Sequence, residues 1–209
     1  MSQIYKVIDD FDGIEKYKPF LQELMSDRFD LYKVNTDTLN QDYFSSFFGH
    51  TIQDRVEDNW GYFKINLIPS LYFPILNLLF DVARQNGIEN FGIGRCAVNA
   101  SFASDKFPPI HVDHEFPHIQ MVMYLNDSDG DTILYEKKFG EESSDVSACN
   151  LSGERESMPI ITKVSPKKNR ILLFDGSHYH SMYNPTKNLR YTLVANFYDY
   201  NLDMSPWIR

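Results

Sequence analysis

Residues 110–125 read IHVDHEFPHIQMVMYL, which is two strand-like runs joined by a short turn-like stretch. Ile110–Asp113 and His118–Leu125 are predicted strands, because apolar residues dominate them and turn-forming residues bound them. Similar runs recur from Phe91 to Tyr198, a pattern typical of an antiparallel sandwich or barrel. The other predicted strands are Gly92–Phe102, Thr132–Glu136, Pro159–Val164, Arg170–Phe174, His178–Tyr183 and Arg190–Tyr198. Eight short strands favour a mostly β protein of the jelly-roll class.

The first ninety residues have a different, helical pattern. Apolar residues recur at the helical period over Phe11–Phe29 and Ser70–Arg84, which predicts two helices that flank the β region and pack on one sheet. Asp37–Trp60 has no clear period and is predicted to be a loop with a short helix. Gly140–Glu156 is rich in Ser, Glu, Asp and Gly, so we expect a loop between strands there.

Size, charge and cysteine content limit the class of protein. The length of 209 residues suits a single domain, with residues 1–90 as mostly helical support and residues 91–200 as the β core. The net charge of -9 opposes nucleic-acid binding. Cys96 and Cys149 match no metal or redox spacing and favour a reducing compartment, although one bridge between them stays open. Met1–Asp10 lacks a leader pattern and no apolar run approaches the roughly 20 residues of a membrane span, so we expect a cytoplasmic protein.

A pair of metal-binding residue types stands inside the opening segment. His111 and Asp113 are two residues apart on a predicted strand, so their side chains point to the same face. A second histidine from a distant strand would complete a facial set of two histidines and one carboxylate, which leaves coordination positions open as non-haem Fe(II) oxygenases require. His178 and His180 are the candidates, since they share a face if their segment is extended. Zinc also accepts these donors, so the identity of the metal stays open at this point.

The segment Phe174–His180, FDGSHYH, followed by Arg190–Thr192, resembles the end of the double-stranded β-helix of 2-oxoglutarate oxygenases. The likeness is to the prolyl-4-hydroxylase-like branch, in the short form that bacteria and phages encode. In that family an Arg or Lys follows the second iron-binding histidine and binds the distal carboxylate of 2-oxoglutarate. The ten-residue separation of His180 from Arg190 fits this spacing better than the twelve of His178. Arginine suits the role because its planar guanidinium stays charged and binds carboxylates bidentately.

Further short motifs resemble the same family. Met121–Asn126 is similar to the family's Y-L-N strand, whose tyrosine joins the arginine at the distal carboxylate. Gly130–Thr132 is similar to the G-G-x-T strand start, with Asp131 where a second glycine is common. The resemblance thus implies a set of residues that contact the co-substrate, with ordinary core packing as the alternative for the hydroxyl groups. This set is Arg190, Tyr124, Thr192 and Asn99.

The resemblance covers about half of the chain, residues 91–198, and implies a cupin-like jelly roll with the activity of an Fe(II)- and 2-oxoglutarate-dependent dioxygenase. Such an enzyme would use O2 to hydroxylate a peptidyl side chain, an amino acid or a small metabolite, and would release succinate and CO2. Ascorbate is a candidate reductant. The main alternative is a cupin-like protein that binds Zn or Mn without oxygenase activity, and a third is an interaction β-sandwich with incidental histidines. The residues implied in catalysis are His111, Asp113 and His180 as metal ligands, and Arg190.

Overall fold

Two antiparallel β-sheets and a pair of helical segments make up the fold. The computed structural model describes residues 4–33, 47–55, 64–67, 69–105, 108–141, 148–149 and 157–203. Its strands are β1 (Tyr5–Ile8), β2 (Tyr32–Lys33), β3 (Phe47–Gln53), β4 (Phe91–Ser101), β5 (Ile110–His111), β6 (Ile119–Tyr124), β7 (Thr132–Lys138), β8 (Ala148–Cys149), β9 (Ile160–Val164), β10 (Ile171–Asp175), β11 (His178–Met182) and β12 (Arg190–Asp199). Its helical segments are a 3-10 turn (Ile14–Tyr17), α1 (Lys18–Glu23) and α2 (Pro69–Gln85).

The strands form a large sheet and a small one. The large sheet has the order β1-β10-β6-β12-β4-β3-β2, and the small sheet has the order β8-β5-β11-β7-β9. All eight strands predicted from residue 91 onward are present, with their ends displaced by one or a few residues. The prediction of a mostly β jelly roll is therefore confirmed.

Three strands of the first ninety residues were not predicted, and the prediction of a loop with a short helix is wrong for Phe47–Gln53. This segment is strand β3 and pairs with β4. A shift of register between Thr51 and Gln53 leaves Ile52 and Gln53 both buried. Because this irregularity breaks the alternation of buried and exposed residues, the sequence shows no clear period there. Residues 37–46 and 56–60 of the same segment lie outside the described residues. So does most of the predicted loop Gly140–Glu156, although Ala148–Cys149 within it form the short strand β8.

The first predicted helix is shorter than expected. Only the 3-10 turn and α1 form within Phe11–Phe29. Gly13 has a left-handed φ of 81° directly before the turn, which places Phe11 and Asp12 outside it. After α1, the Ser26 hydroxyl donates to the Glu23 carbonyl at 2.9 Å, a local bond that competes with continuation of the helix. The second prediction, Ser70–Arg84, is confirmed by α2.

The helices cover the outer face of the large sheet, as predicted. Residues of α2 pack with alternate residues of the central strands into the main hydrophobic core. Cys96 belongs to this core as a free thiol, and burial raises its pKa to about 12. The members of this main core on α2 and the central strands are Ile75, Leu78, Leu79, Val82, Ala83, Ile93, Cys96, Val98, Met121, Met123, Ile171, Leu173, Leu193, Ala195 and Phe197. The opposite face of the same strands is therefore left to face the small sheet.

Strand β4 changes phase near its start. Arg95 pairs with Asn196 of β12, whereas Phe197 pairs with Ile93, so Gly94 is an extra residue in the ladder. Ile93 consequently packs on the helix side. Arg95 lies on the inner side, where Nη1 is 3.7 Å from Asp113 Oδ2. Because of this β-bulge, Ile93 and Arg95 lie on opposite faces of the sheet although they are two residues apart.

In the part of the chain that the structure describes, no helix has the length and apolar character needed to cross a membrane.

Candidate functional site

His111, Asp113 and His180 converge between the sheets. His111 and His180 are direct cross-strand partners on β5 and β11, and Asp113 follows β5 by two residues. The Nε2 atom of His111 lies 3.4 Å from Asp113 Oδ1. One ligand atom from each residue falls within 4.8 Å of the others. Within the described ranges this is the one group of three or more metal-ligating side chains that comes together.

The electrostatics of the cluster suit a cation. Burial and the neighbouring His111 lower the pKa of His180 to about 3, so its imidazole is neutral at pH 7 and offers a lone pair. Burial acts to raise the pKa of Asp113, but contact with His111 and the charge of Arg95 lower it well below its usual range. Two imidazoles and an ionised carboxylate are the donors of the facial sites that hold non-haem iron. These residues therefore fit a divalent metal.

His178 does not join this cluster. The register of β11 against β7 shifts between His178 and His180, so the assumption of a regular extended segment fails there. Instead, the His178 ring lies against β7, where Nδ1 is 2.9 Å from the Tyr135 carbonyl oxygen. The structure thus brings only the second of the two candidate histidines to His111 and Asp113.

Two further histidines lie beside the cluster. His118 and His114 are buried with their ring centroids 5.1 Å apart. The Nδ1 atom of His118 lies 2.8 Å from the Phe116 carbonyl oxygen. Burial and the nearby His114 lower the pKa of His118 to about 4. A Cβ atom on Gly176 would approach His118 Nε2 to 2.1 Å, so the ring packs directly on the turn that leads into β11.

Arg190 is buried at the start of β12. Its Nη2 donates to Thr132 Oγ1 at 2.7 Å, and its Nη1 donates to Met182 Sδ at 3.2 Å. Its Nε has no hydrogen-bond partner among the described residues. Burial lowers the pKa of this guanidinium against smaller opposing effects of Tyr124 and Asp131, and both of its described hydrogen-bond acceptors are uncharged. A buried cation in such surroundings is costly unless an anion joins it.

Tyr124 is linked to Arg190 by hydrogen bonds through Thr132. Its hydroxyl donates to Thr132 Oγ1 at 2.7 Å and to the Val164 carbonyl oxygen at 3.2 Å, while its ring lies 5.2 Å from the Arg190 guanidinium. Burial raises the pKa of Tyr124. Thr132 was not singled out from the sequence, although it ends the Gly130–Thr132 motif that resembles the family's strand start.

Thr192 and Asn99 complete this end of the interior. Thr192 is the cross-strand partner of both Tyr124 and Asn99, so the three residues form one row across β6, β12 and β4. Thr192 is buried, and Asn99 is partly exposed. All four residues predicted to contact a co-substrate therefore lie in the same part of the large sheet.

An apolar row separates the two groups. Val122, Val194 and Ala97 are cross-strand partners between the Tyr124 row and the end of the sheet that faces Asp113. On the small sheet, Met182 follows His180 by two residues, which is roughly 7 Å along a strand. The guanidinium of Arg190 contacts Met182, so it stands about one such step from the histidine pair.

Three polar residues around Asp113 were missed from the sequence. Asp113 Oδ2 lies 3.7 Å from Arg95 Nη1 and 3.4 Å from Asn196 Nδ2. Asn196 also donates to Gln120 Oε1. These residues come from three strands far apart in the chain, so no local spacing could have revealed them.

Known proteins were compared with the chain in sequence and in structure. Neither a scan against protein-family models nor a search of the curated proteins finds a match. Solved structures do match. An oxidoreductase of the 2OG-Fe(II) oxygenase family from Burkholderia pseudomallei aligns at a TM-score of 0.60 and 15% identity, over 95% of this chain and 85% of that one.

Two further matches are structures of complexes. A prolyl hydroxylase from Trichoplax adhaerens, in complex with a hypoxia inducible factor peptide fragment, aligns at a TM-score of 0.58 and 15% identity, over 95% of this chain and 84% of that one. HygX from Streptomyces hygroscopicus, with nickel, 2-oxoglutarate and hygromycin B bound, aligns at a TM-score of 0.60 and 13% identity, over 94% and 83%. At these identities the likeness establishes architecture: the chain has the double-stranded β-helix fold of the 2-oxoglutarate and Fe(II) oxygenases.

Proposed function

We propose that this protein is a non-haem Fe(II)- and 2-oxoglutarate-dependent dioxygenase that hydroxylates its substrate. One observation carries the proposal: a cluster of two histidines and a carboxylate lies about one strand step from a buried arginine whose described acceptors are uncharged. The first group fits a divalent metal and the second fits a carboxylate. 2-Oxoglutarate is a dicarboxylate with a keto group beside one carboxylate, so a single molecule can satisfy both.

His111, Asp113 and His180 would hold the iron. The two imidazoles supply nitrogen ligands, and Asp113 supplies one negative charge. Three protein ligands on one face leave the remaining positions for the co-substrate and O2. Iron with 2-oxoglutarate supplies the oxidising power for hydroxylation when bound, with succinate and CO2 as co-products.

Arg190 would hold the distal carboxylate of 2-oxoglutarate. Its guanidinium offers a fork of donors and a full charge in a buried setting, where a charge-assisted pair is strong. Thr132 accepts hydrogen bonds from both Arg190 and Tyr124, so the three side chains support one another. The Thr192 hydroxyl and Asn99 lie next in the same row and complete the polar surface.

The apolar row lies between the two polar groups. Val122, Val194 and Ala97 offer no hydrogen bond, so the co-substrate would bridge this step through its own carbon chain. The same side chains exclude water from that part of the interior, which favours a hydroxylation committed to the bound substrate.

The substrate class stays broad. A peptidyl side chain, an amino acid and a small metabolite all suit this chemistry, and the structural matches include a prolyl hydroxylase with a peptide and an enzyme with bound hygromycin B. We favour the prolyl-hydroxylase-like branch, because the Tyr124 and Arg190 motifs resemble it. The net charge of -9 argues against a nucleic-acid substrate.

The direct test is an anaerobic titration of the purified protein with Fe(II) and 2-oxoglutarate. We expect a visible metal-to-ligand charge-transfer band when both are present, and slow release of succinate after O2 is admitted. Arg190→Met is the matched control, because it should keep the metal and lose the band.

Two results would contradict the proposal. A protein that binds Fe(II) but shows neither the band nor succinate would be a metal-binding protein of another kind, such as a Zn or Mn protein with a cupin-like site. A protein that binds no divalent metal under reducing conditions would be an interaction domain with incidental histidines.

A further inference from the structure

A row of polar side chains stands behind Asp113. Gln120, Asn196 and Arg95 are direct cross-strand neighbours on β6, β12 and β4, since Asn196 pairs with Gln120 on one side and with Arg95 on the other. Gln120 and Asn196 are almost fully buried, with 1% and 0% of their surface exposed. Buried polar residues in a hydrophobic sheet need a reason, because each costs stability unless it is hydrogen-bonded.

The row contacts only one of the two carboxylate oxygens of Asp113. Oδ2 faces Arg95 at 3.7 Å and Asn196 at 3.4 Å, whereas Oδ1 faces His111 Nε2 at 3.4 Å. The carboxylate therefore has a side turned toward the histidines and a side turned toward the row. This asymmetry fixes which oxygen meets a metal.

Arg95 has a specific reason to be present. Asp113 is 8% exposed, so its carboxylate is buried between the sheets. Without metal, a buried carboxylate in such a position needs a cation nearby, because burial of an unpaired charge is strongly destabilising. Arg95 supplies that charge, and its pairing with Asn196 of β12 places it on the inner face of the sheet.

Asn196 links the carboxylate to the sheet. Its Nδ2 donates both to Asp113 Oδ2 and to Gln120 Oε1, so the amide is held between them. Gln120 in turn sits on the central strand β6. Asp113 comes from the less regular segment after β5, and the row ties it to the most regular part of the fold.

We propose that Arg95, Asn196 and Gln120 form a positioning row that holds Asp113 by its Oδ2 atom, so that Oδ1 alone is offered to the metal. This inference rests on the proposed function for the identity of the metal. A carboxylate bound through one oxygen occupies one coordination position, and a carboxylate bound through both would occupy two. The row thus keeps a position free for the co-substrate or O2.

The test uses Co(II) as a spectroscopic substitute for iron, without 2-oxoglutarate. The wild-type protein, Arg95→Met and Asn196→Leu are titrated with Co(II), and the affinity and the visible d–d bands are recorded. We expect roughly 10- to 100-fold weaker binding in each variant, the range for residues that orient a metal ligand. We also expect changed band positions and intensities, because release of Oδ2 alters the coordination. Arg95→Lys, which keeps the charge, should recover most of the affinity.

Controls separate this role from general stability. Arg170→Met removes another arginine–aspartate pair, with Asp9 at 2.6 Å on the surface, and should leave both affinity and spectrum unchanged. Arg95→Gln keeps a polar but shorter and uncharged side chain and is measured beside Arg95→Met, with thermal unfolding of each. Folded Arg95 and Asn196 variants with wild-type Co(II) affinity and bands would overturn the inference.

The outcome is distinguishable from failure of the proposed function. If the wild-type protein binds Co(II) but gives no Fe(II)–2-oxoglutarate band, the proposed function fails while the variants still report on Asp113. If the band and succinate release appear but the variants match the wild type, the positioning row alone is wrong.

Discussion

The two ends of the space between the sheets are built alike and charged differently. Each end has a polar row across β6, β12 and β4, and each has an arginine, which belongs to the row at the first end and lies beside it at the second. At one end Arg95 faces the Asp113 carboxylate at 3.7 Å. At the other end the described acceptors of Arg190 are a hydroxyl and a thioether. At the first end the arginine faces a carboxylate, which suits a cation, whereas at the second end the arginine has no carboxylate among its described hydrogen-bond acceptors, which suits an anion.

The largest effect should follow from removal of the carboxylate at the first end. We expect Asp113→Ala to weaken divalent-metal binding by at least about 100-fold, since even residues that only orient a ligand contribute 10- to 100-fold. Isothermal titration calorimetry with a divalent metal measures this affinity. Asp9→Ala removes a surface carboxylate as a control. Full metal affinity in Asp113→Ala would show that the first end is not the metal site.

Removal of the arginine at the second end should affect the anion and not the metal. We expect Arg190→Met to weaken 2-oxoglutarate binding by about 3 kcal/mol, or roughly 100-fold, because charge-assisted hydrogen bonds are lost. Metal affinity should stay at the wild-type level. Calorimetric titration of the Mn(II)-loaded protein with 2-oxoglutarate is the measurement.

The same variant tests the cost of burying the Arg190 charge directly. Without ligand, Arg190→Met should unfold at the same temperature as the wild type or higher, because a buried charge without an anion is replaced by an apolar side chain. A large fall in unfolding temperature would show that Arg190 already has a counter-ion within the protein.

The stability of the fold near the first end should depend on the close packing of Gly176 against His118. Gly176→Ala places a Cβ atom 2.1 Å from His118 Nε2, so we expect a loss of about 1–3 kcal/mol in the free energy of unfolding. Chemical denaturation measures it. Gly94→Ala is the matched control, because the atoms nearest its Cβ, those of Phe116 and Tyr198, are at an ordinary 3.5 Å.

The smallest effect concerns one hydroxyl group at the second end. Tyr124→Phe removes the donor to Thr132, and we expect about 1 kcal/mol weaker 2-oxoglutarate binding, up to about tenfold. Tyr72→Phe, whose hydroxyl donates to Gln53 at 3.1 Å on the helix side, should change nothing. Equal effects in both variants would show that the Tyr124 hydroxyl has no specific role in 2-oxoglutarate binding.

The second end was easier to predict from sequence than the first. Tyr124, Arg190 and Thr192 fall in short motifs whose order resembles a known family, and alternation along β12 then places Arg190 and Thr192 on one face. Arg95 and Asn196 meet Asp113 only after three strands are aligned in register, and the alternation along β4 shifts by one residue just before Arg95. Asn196 stands in an apolar run, so its sequence context gave no sign of a polar contact.

Strand prediction failed where alternation failed. β4 and β12 are long strands in the centre of the large sheet, and their patterns are regular enough to be recognised. β3 has a shift of register, β1 and β2 are short edge strands, and β8 has two residues. Short strands are set by the neighbours they pair with more than by their own composition.

The bulge in β4 also gives related sequences a simple way to vary the contact between Arg95 and Asp113. A relative without the extra residue at Gly94 would keep Ile93 against the helices and Arg95 toward the interior, because the two faces stay the same when that one residue is lost. What would change is the local twist, and with it the direction from which the guanidinium approaches Asp113. A single insertion or deletion could therefore change how Arg95 contacts the Asp113 carboxylate, while the ligand residues and the core residues stay the same.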